Sequence, residues 1–250
     1  MKSRRYFLIQ GGLATTAMLA LKPLSAFARI TSTFTGISSS NNKLAFLHTA
    51  NLNFQTNKKV IQFIKDNKYK NANTILLNAG KDIRDETGSL TYDASINGKN
   101  ELSVISGEYK IINKGNIRTG IISAKPEENN VIQKIKTLSN YLKKEKNCTV
   151  VVCLSQLGYK NKNTPDDITL ANKSTHLDII IGGHSENFPA NPVIALNSNS
   201  GEVIIHSASG DTTAFGKIEI DFDEQGRKKY ISFNNHSSNN NSGNHASKVA

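Results

Sequence analysis

The chain has no tryptophan and contains two cysteines and five prolines among its 250 residues. Two cysteines exclude a fold stapled by a network of disulfides. No apolar run long enough to cross a bilayer follows the amino-terminal region, which excludes a membrane protein with several spans. Acidic residues are also scarce, since 20 of them face 31 basic residues and leave a formal charge of +11.

The basic excess is spread along the chain instead of being concentrated in one stripe. Examples are Lys134, Lys136, Lys143 and Lys144, which recur without interleaved aromatic residues. Nucleic-acid-binding surfaces combine clustered cations with aromatic side chains. We therefore expect a solvated lysine surface and no nucleic-acid partner.

The amino terminus has the organisation of an export signal. Arg4 and Arg5 precede a mildly apolar run, Ile9 to Leu21, and the small-residue cleavage pattern Ala26-Phe27-Ala28 follows. Paired arginines before a short apolar region are typical of twin-arginine signals. The sequence predicts a signal peptide over 1–28 and a periplasmic location. The alternatives are an ordinary secretory signal and an uncleaved signal that tethers the protein to the membrane.

The remaining chain divides into a linker, one domain and a tail. Residues 29–42 are rich in Ser, Thr and Asn, which predicts a linker. Residues 43–233 alternate apolar runs with amphipathic stretches, as a folded domain does. Residues 234–250 are an Asn/Ser/His tract with almost no apolar side chains, which predicts a disordered polar tail.

Strand and helix patterns alternate through the predicted domain. The main predicted strands are Leu44–His48, Thr74–Leu77, Cys148–Leu154 and Asp178–Ile181. Amphipathic helices are predicted over Lys58–Asn67 and after Pro126. A hairpin is predicted around Lys114-Gly115, and Val203–His206 with Phe215–Phe222 is predicted to close the domain as an antiparallel pair. This alternation predicts a layered α/β sandwich with a largely parallel or mixed sheet.

Polar segments follow the predicted strands, at the ends where ligand chemistry gathers in α/β folds. In chain order they are His48–Asn53, Asn78–Ile83, Tyr92–Leu102, Leu154–Tyr159 and Gly182–Glu186. These five segments resemble the motif blocks of 5'-nucleotidase-type metallophosphatases, within the calcineurin-like phosphoesterase superfamily. The family pattern HTNDxH matches His48–Asn53, LLDAGD matches Leu76–Lys81 and YDAxxxGNHEF matches Tyr92–Leu102. The pattern LSHLGY matches Leu154–Tyr159, and DxIxGGHSH matches Asp178–Glu186. The resemblance covers residues 43–223 and implies a layered α/β/β/α sandwich with mixed sheets.

The resemblance also implies where metal ligands would stand, and most of these positions carry another residue here. Relatives hold two divalent metals with Asp, His and Asn side chains, and the metals activate a water for phosphoester hydrolysis. The substituted ligand positions are Asn51, Asn53, Lys81, Lys99 and Gln156, and Asn100 stands at the position of the catalytic His. His184 keeps the family residue and Glu186 ends the same block, so both are candidate metal ligands.

The substitutions argue against a dinuclear metal centre and favour an anion site. A lysine ammonium has no lone pair and repels a cation, while Asn and Gln are neutral. Lys81 and Lys99 stand where the resemblance places metal ligands, so they predict binding of phosphate or another anion without turnover. The alternative is that both lysines are solvated and bind nothing in particular.

We therefore expect an exported pseudoenzyme without a cofactor that binds an anionic ligand, such as phosphate or a nucleotide, or a partner protein. The competing hypothesis is an active phosphomonoesterase or 5'-nucleotidase that uses Mn, Zn or Mg. A loop shifted by one residue would bring Asp82 to the bridging position and Asn100 to the Asn position. Relatives carry a C-terminal domain that contacts the nucleoside, so a separate chain with that domain is an expected partner. A third hypothesis is a decaying gene product without function.

Overall fold

The computed structural model describes residues 42–50, 52, 58–80, 90–97, 109–161, 164–184, 188, 189, 191–208 and 213–237. The helices in these ranges are α1 (Lys58–Lys70), α2 (Val131–Lys144) and α3 (Asp167–Lys173). The strands are β1 (Lys43–Thr49), β2 (Thr74–Asn78), β3 (Ala94–Ser95), β4 (Tyr109–Lys114), β5 (Ile117–Ala124), β6 (Val150–Ser155), β7 (Ile179–Gly182), β8 (Val193–Leu196), β9 (Glu202–Ser207), β10 (Thr213–Phe222) and β11 (Lys228–Ser237). None of the described helices combines the length and the apolarity that a membrane span requires.

The strands form two mixed sheets. Sheet 1 has five strands in the order β11-β10-β1-β2-β3, and sheet 2 has six in the order β4-β5-β6-β7-β9-β8. The strands β1, β2 and β3 run parallel to one another, as do β5, β6, β7 and β9. The flanking strands β10, β11, β4 and β8 pair antiparallel to their neighbours. The predicted hairpin around Lys114-Gly115 is confirmed as β4 and β5.

Alternating apolar side chains pack the two sheets against each other and against helices. Phe46 of β1 and Val152 of β6 lie in one buried core between the sheets. On the outer face of sheet 1, Ile64 of α1 is fully buried, and on that of sheet 2 so are Leu142 of α2 and Leu170 of α3. The layers therefore follow the order helix, sheet, sheet, helix, which confirms the predicted α/β/β/α sandwich with mixed sheets.

The strand pairing predicted for the end of the domain is wrong. Val203–His206 and Phe215–Phe222 do not pair, because β9 lies beside β7 and β8 in sheet 2 while β10 lies beside β1 and β11 in sheet 1. The chain crosses from one sheet to the other between them. Neighbours in sequence usually pair, but here β10 completes the open side of β1.

The predicted tail begins too early. The strand β11 extends to Ser237, and its last residues pair with β10, with Asn234 opposite Lys217 and His236 opposite Phe215. The His236 ring stacks on the Phe215 ring at 4.3 Å between centroids, so a polar stretch gains an aromatic contact and a strand partner. The predicted signal peptide, the residues 29–41 of the linker and 238–250 lie outside the described residues.

Candidate functional site

The ends of parallel strands from both sheets meet along one side of the sandwich, here called the carboxyl edge. The segment after β2 and the segment after β7 touch there through their backbones. A Cβ atom built on Gly183 would lie 1.8 Å from the carbonyl oxygen of Ala79, so this approach requires glycine. Two of the five segments that carry the family resemblance are therefore in contact.

Hydrogen bonds join the first and third segments to the same place. Ala79 donates its backbone N–H to the carbonyl oxygen of Thr49 at 3.2 Å, and the Thr49 hydroxyl lies 2.9 Å from the Tyr92 hydroxyl. The amide Nδ2 of Asn97 donates to the carbonyl oxygen of Gly80 at 3.3 Å. The Asn78 side chain fixes the turn by accepting the N–H of Gly80 at 2.8 Å. The ends of β1, β2 and β3 are thus tied to one another at the carboxyl edge.

The fourth segment lies beside the fifth. Gly183 donates its N–H to the carbonyl oxygen of Ser155 at 2.8 Å, which aligns the end of β6 with the end of β7. Gln156 follows Ser155 and is half-buried, and His184 follows Gly183 and is exposed. Among the predicted site residues, these two are described by the structure. The others, which lie outside the described residues, are Asn51, Asn53, Lys81, Asp82, Lys99, Asn100 and Glu186.

The described donors at the carboxyl edge do not fit a dinuclear metal centre. Within the described ranges, no three His, Cys, Asp or Glu side chains come together in a group that could hold a metal ion. Gln156 supplies a neutral amide and His184 a single imidazole, whereas two divalent cations require several anionic or imidazole donors.

A buried histidine pair that the sequence analysis did not single out lies just inside this edge. His48 of β1 and His206 of β9 are both buried in the interior of the sandwich, and His48 Nε2 lies 2.7 Å from His206 Nδ1. Gly216 of β10 makes room for the pair, because a Cβ there would lie 2.3 Å from His48 Nε2. His206 ends an apolar strand pattern, and this was the signal in the sequence that it is buried.

Both imidazoles of this pair are held neutral. Burial, and secondly the neighbouring His206, lowers the pKa of His48 well below its usual range. Burial also lowers the pKa of His206 to about 4. His48 Nδ1 is buried without a hydrogen-bond partner. Since an unpaired acceptor costs less than an unpaired donor, the favoured tautomer has His48 Nε2–H donating to His206 Nδ1.

A buried carboxyl forms the second polar feature that the sequence analysis did not identify. The Ser155 hydroxyl donates to Oδ1 of Asp167 at the start of α3, and Oδ2 of Asp167 is buried without a partner. Burial raises the pKa of Asp167 to about 7, although the hydrogen bond from Ser155 opposes the shift. Asp166, the helix cap directly before it, accepts the N–H of Thr169 at 2.7 Å and stays ionised.

Comparison with solved structures identifies the fold. The chain superposes on a 5'-nucleotidase precursor from Thermus thermophilus with a TM-score of 0.56 and 17% identity, over 78% of this chain and 54% of that one. For the NAD nucleotidase of Haemophilus influenzae the TM-score is 0.58 and the identity 15%, over 78% of this chain and 50% of that one. This chain spans about half the length of the structures that it matches. No protein-family profile and no curated protein sequence matches it.

At these identities the comparison shows the fold alone. The described sandwich has the fold of the matched parts of these two nucleotidase structures, and this is the fold that the resemblance of the sequence segments implied. The substituted ligand positions and the export signal stay predictions.

Proposed function

We propose that this chain is a non-catalytic protein that binds phosphate or a phosphate-bearing ligand at the carboxyl edge of a metallophosphatase fold. The observation that carries the proposal is a hydrogen bond between the segments that lead to the two lysines. Gly80 directly precedes Lys81, Asn97 comes two residues before Lys99, and Asn97 Nδ2 donates to the Gly80 carbonyl oxygen at 3.3 Å. This contact joins the two segments after which the lysines follow in the sequence, and it supports the proposal of one anion site.

The chemistry of the edge supports an anion over a cation. Two ammonium groups attract the oxygens of a phosphate and repel a divalent metal. His184 and Gln156, at the ends of the neighbouring strands, add side chains that can donate hydrogen bonds to phosphate oxygens. Without a metal to activate water, bound phosphoester is retained and not hydrolysed.

The direct test is calorimetric titration of inorganic phosphate and AMP into the purified chain in the presence of a metal chelator. We expect binding by the native chain and its loss in the double variant Lys81→Ala, Lys99→Ala. The matched control is Lys70→Ala, Lys144→Ala, since both lysines are exposed at the ends of helices on the opposite side of the sandwich. Equal losses in both double variants, or binding that needs added metal, would contradict the proposal.

The second candidate function is metal-dependent phosphomonoester hydrolysis, and the shared fold with two nucleotidases favours it. In this case Asp82, His184 and Glu186 would act as ligands to the metals, which supply an activated water when bound. Mass spectrometry of the chain after incubation with Mn and Zn and desalting separates the two functions. The metal-dependent function is supported if the native chain binds nearly two metals and releases phosphate from AMP, and if Asp82→Asn loses the metals. That result would overturn the anion-binding proposal.

Export through the twin-arginine pathway is a separate proposal, supported by Arg4 and Arg5 before the apolar run. The test measures the amount of the chain in the periplasmic and cytoplasmic fractions of the cell. We expect periplasmic accumulation of the native chain and cytoplasmic retention of Arg4→Lys, Arg5→Lys, which keeps the charge but changes the pair. Export of both forms would assign the ordinary secretory route.

A further inference from the structure

The strand β8 forms one end of sheet 2, and its side chains differ in how well they are covered. Val193 and Ala195 face the helical layer and pack against its core, with α3 nearby. Ile194 and Leu196 face the other way and are 61% and 39% exposed. Ile204, directly opposite Ile194 on β9, is buried between the sheets. Sheet 1 therefore packs over β9 but does not extend over β8.

Among the four strands that end the described sheets, β8 (four residues) and β3 carry no charged side chain, and β8 is the longer of the two. The strand β4 carries Lys110 and Lys114, β11 begins with Lys228 and Lys229, and β3 is two residues long. Lysines, prolines and short strands are the usual means by which proteins prevent edge pairing, and β8 has Pro192 directly before its first residue but no lysine. Within the described residues β8 pairs with β9 alone and has no register shift, so its outer side presents a regular row of backbone groups.

We propose that β8 is the contact surface of a symmetric dimer, in which sheet 2 of one copy continues into sheet 2 of a second copy. Self-association of a chain with a charge of +11 is opposed by repulsion between the two copies, and a contact surface without charges adds no further repulsion at short range. Residues 191–201, which contain β8 and its flanks, include no charged side chain. The neutral strip offers no attraction to a charged partner and no repulsion to its own copy.

The sequence of β8 is also complementary to itself. A two-fold axis perpendicular to the sheet at Ala195 pairs each residue with one on the same face of the second strand. Ile194 of one copy then lies opposite Leu196 of the second copy, and Leu196 lies opposite Ile194 of the second copy. The two exposed apolar side chains cover each other, which is the contribution expected of cross-strand pairs. A contact of this size is smaller than a standard interface, so we expect a weak, concentration-dependent dimer.

Sedimentation velocity of the intact chain, from low micromolar to near-millimolar concentration, tests the proposal. We expect a dimer that grows with concentration, and a monomer at every concentration for Ile194→Lys. The matched control is Tyr230→Lys, because Tyr230 is 56% exposed on β11 of the other sheet and should leave the dimer intact. Circular dichroism confirms that each variant is folded, and Ile194 is exposed enough to be replaced without loss of the core.

Disulfide trapping tests the register. Ala195→Cys places two thiols across the two-fold axis, so mild oxidation should link two copies, whereas Ile194→Cys should link far less since Leu196 of the second copy lies opposite it. The native cysteines, Cys148 and Cys153, are buried and give the background. A chain that stays monomeric, a dimer that survives Ile194→Lys, or trapping through residue 194 instead of 195 would overturn the proposal. A monomer whose β8 binds a synthetic strand peptide would assign the edge to another protein and overturn it as well.

Discussion

His48 Nε2 and His206 Nδ1 lie 2.7 Å apart, so one hydrogen bond joins β1 of sheet 1 to β9 of sheet 2 inside the sandwich. A second tie closes the opposite side, where Lys228 of β11 contacts Asp178, directly before β7, at 2.6 Å. The apolar core between the sheets therefore ends at each side in a polar contact between them. One contact is neutral and the other is ionic, so they respond differently to pH.

We expect acid to destabilise the protein through the histidine pair. Burial lowers the pKa of His206 to about 4, whereas the unfolded chain takes up protons near the usual value of 6.5. The unfolded state therefore binds more protons between these values, and the free energy of unfolding falls as the pH falls through that window. His206 alone accounts for a loss of about 3 kcal/mol. The free energy of unfolding of His206→Gln, measured with urea between pH 7 and pH 4, should fall less steeply with pH than that of the native chain.

The control for this prediction is His184→Gln, since His184 is exposed at the carboxyl edge. Its unfolding should follow the pH dependence of the native chain. If both variants keep the native slope, the buried pair does not carry the acid sensitivity.

Asp167 should have the opposite effect on the pH dependence. Its pKa is raised to about 7 by burial, so the folded state holds a proton that the unfolded state releases near pH 4. The resulting stabilisation is present at low pH and is lost as the pH rises to about 7. Asp167→Asn keeps a neutral side chain at every pH. At pH 8 we expect its free energy of unfolding, measured with urea, to exceed that of the native chain by up to about 4 kcal/mol.

The neighbouring Asp166 supplies a matched control for the same chemical change. Its carboxylate caps α3 by accepting the N–H groups of Thr169 and Asn161. Asp166→Asn should therefore destabilise the protein at pH 8 by about 1 kcal/mol or less, because an amide oxygen is the weaker cap. A loss of stability in Asp167→Asn as well would contradict the raised pKa, because it would mean that the folded state stabilises the carboxylate of Asp167.

Removing the charge of Asp178 should weaken the tie between the sheets. Asp178 is buried and contacts Lys143 at 2.8 Å and Lys228 at 2.6 Å. Burial alone would raise its pKa, but Lys228 and Lys143 outweigh burial and hold the pKa below the usual value. Asp178→Asn leaves both ammonium groups without their carboxylate, and we expect a loss of about 3 kcal/mol in the free energy of unfolding at pH 7.

The comparison for Asp178 is the exposed ion pair of Asp221 with Lys43, at 3.3 Å. Asp221→Asn should change the stability by less than about 1 kcal/mol, because water screens an exposed pair. Similar losses in the two variants would mean that the tie between the sheets adds nothing beyond a surface contact.

A side chain at Gly183 should separate the two segments that meet at the carboxyl edge. The Cβ atom of Gly183→Ala would lie 1.8 Å from the Ala79 carbonyl oxygen, and neither backbone can yield without disturbing β2 or β7. We expect a loss of at least about 2 kcal/mol in urea unfolding, together with weaker binding of phosphate.

Gly226 in the turn between β10 and β11 is the control, because a Cβ there meets nothing within 4 Å. Gly226→Ala carries only the strain of a positive φ of 74° and should lose about 1 kcal/mol. Equal losses at the two glycines would refute the close approach at the carboxyl edge.

The fold class was accessible from the sequence because it depends on local patterns. Alternating and helical apolar periods place Phe46, Val152 and Leu142 in buried layers, and these are set by residues a few positions apart. The motif segments at the strand ends then implied the family of folds, which the solved structures bear out. The ligand substitutions, such as Lys81 and Lys99, are also read directly from the sequence.

The tertiary structure decided which distant residues meet. His48 and His206 are 158 positions apart, and nothing local to either shows that both turn inward at one end of the sandwich. The same holds for β10, which leaves its neighbour in sequence to pair with β1, and for the uncovered β8. Strand order, close backbone approach and the protonation of buried groups depend on all the contacts around each residue, including those from distant parts of the chain. A hydrophobic period of two or of 3.6 residues reports local structure and does not specify those contacts.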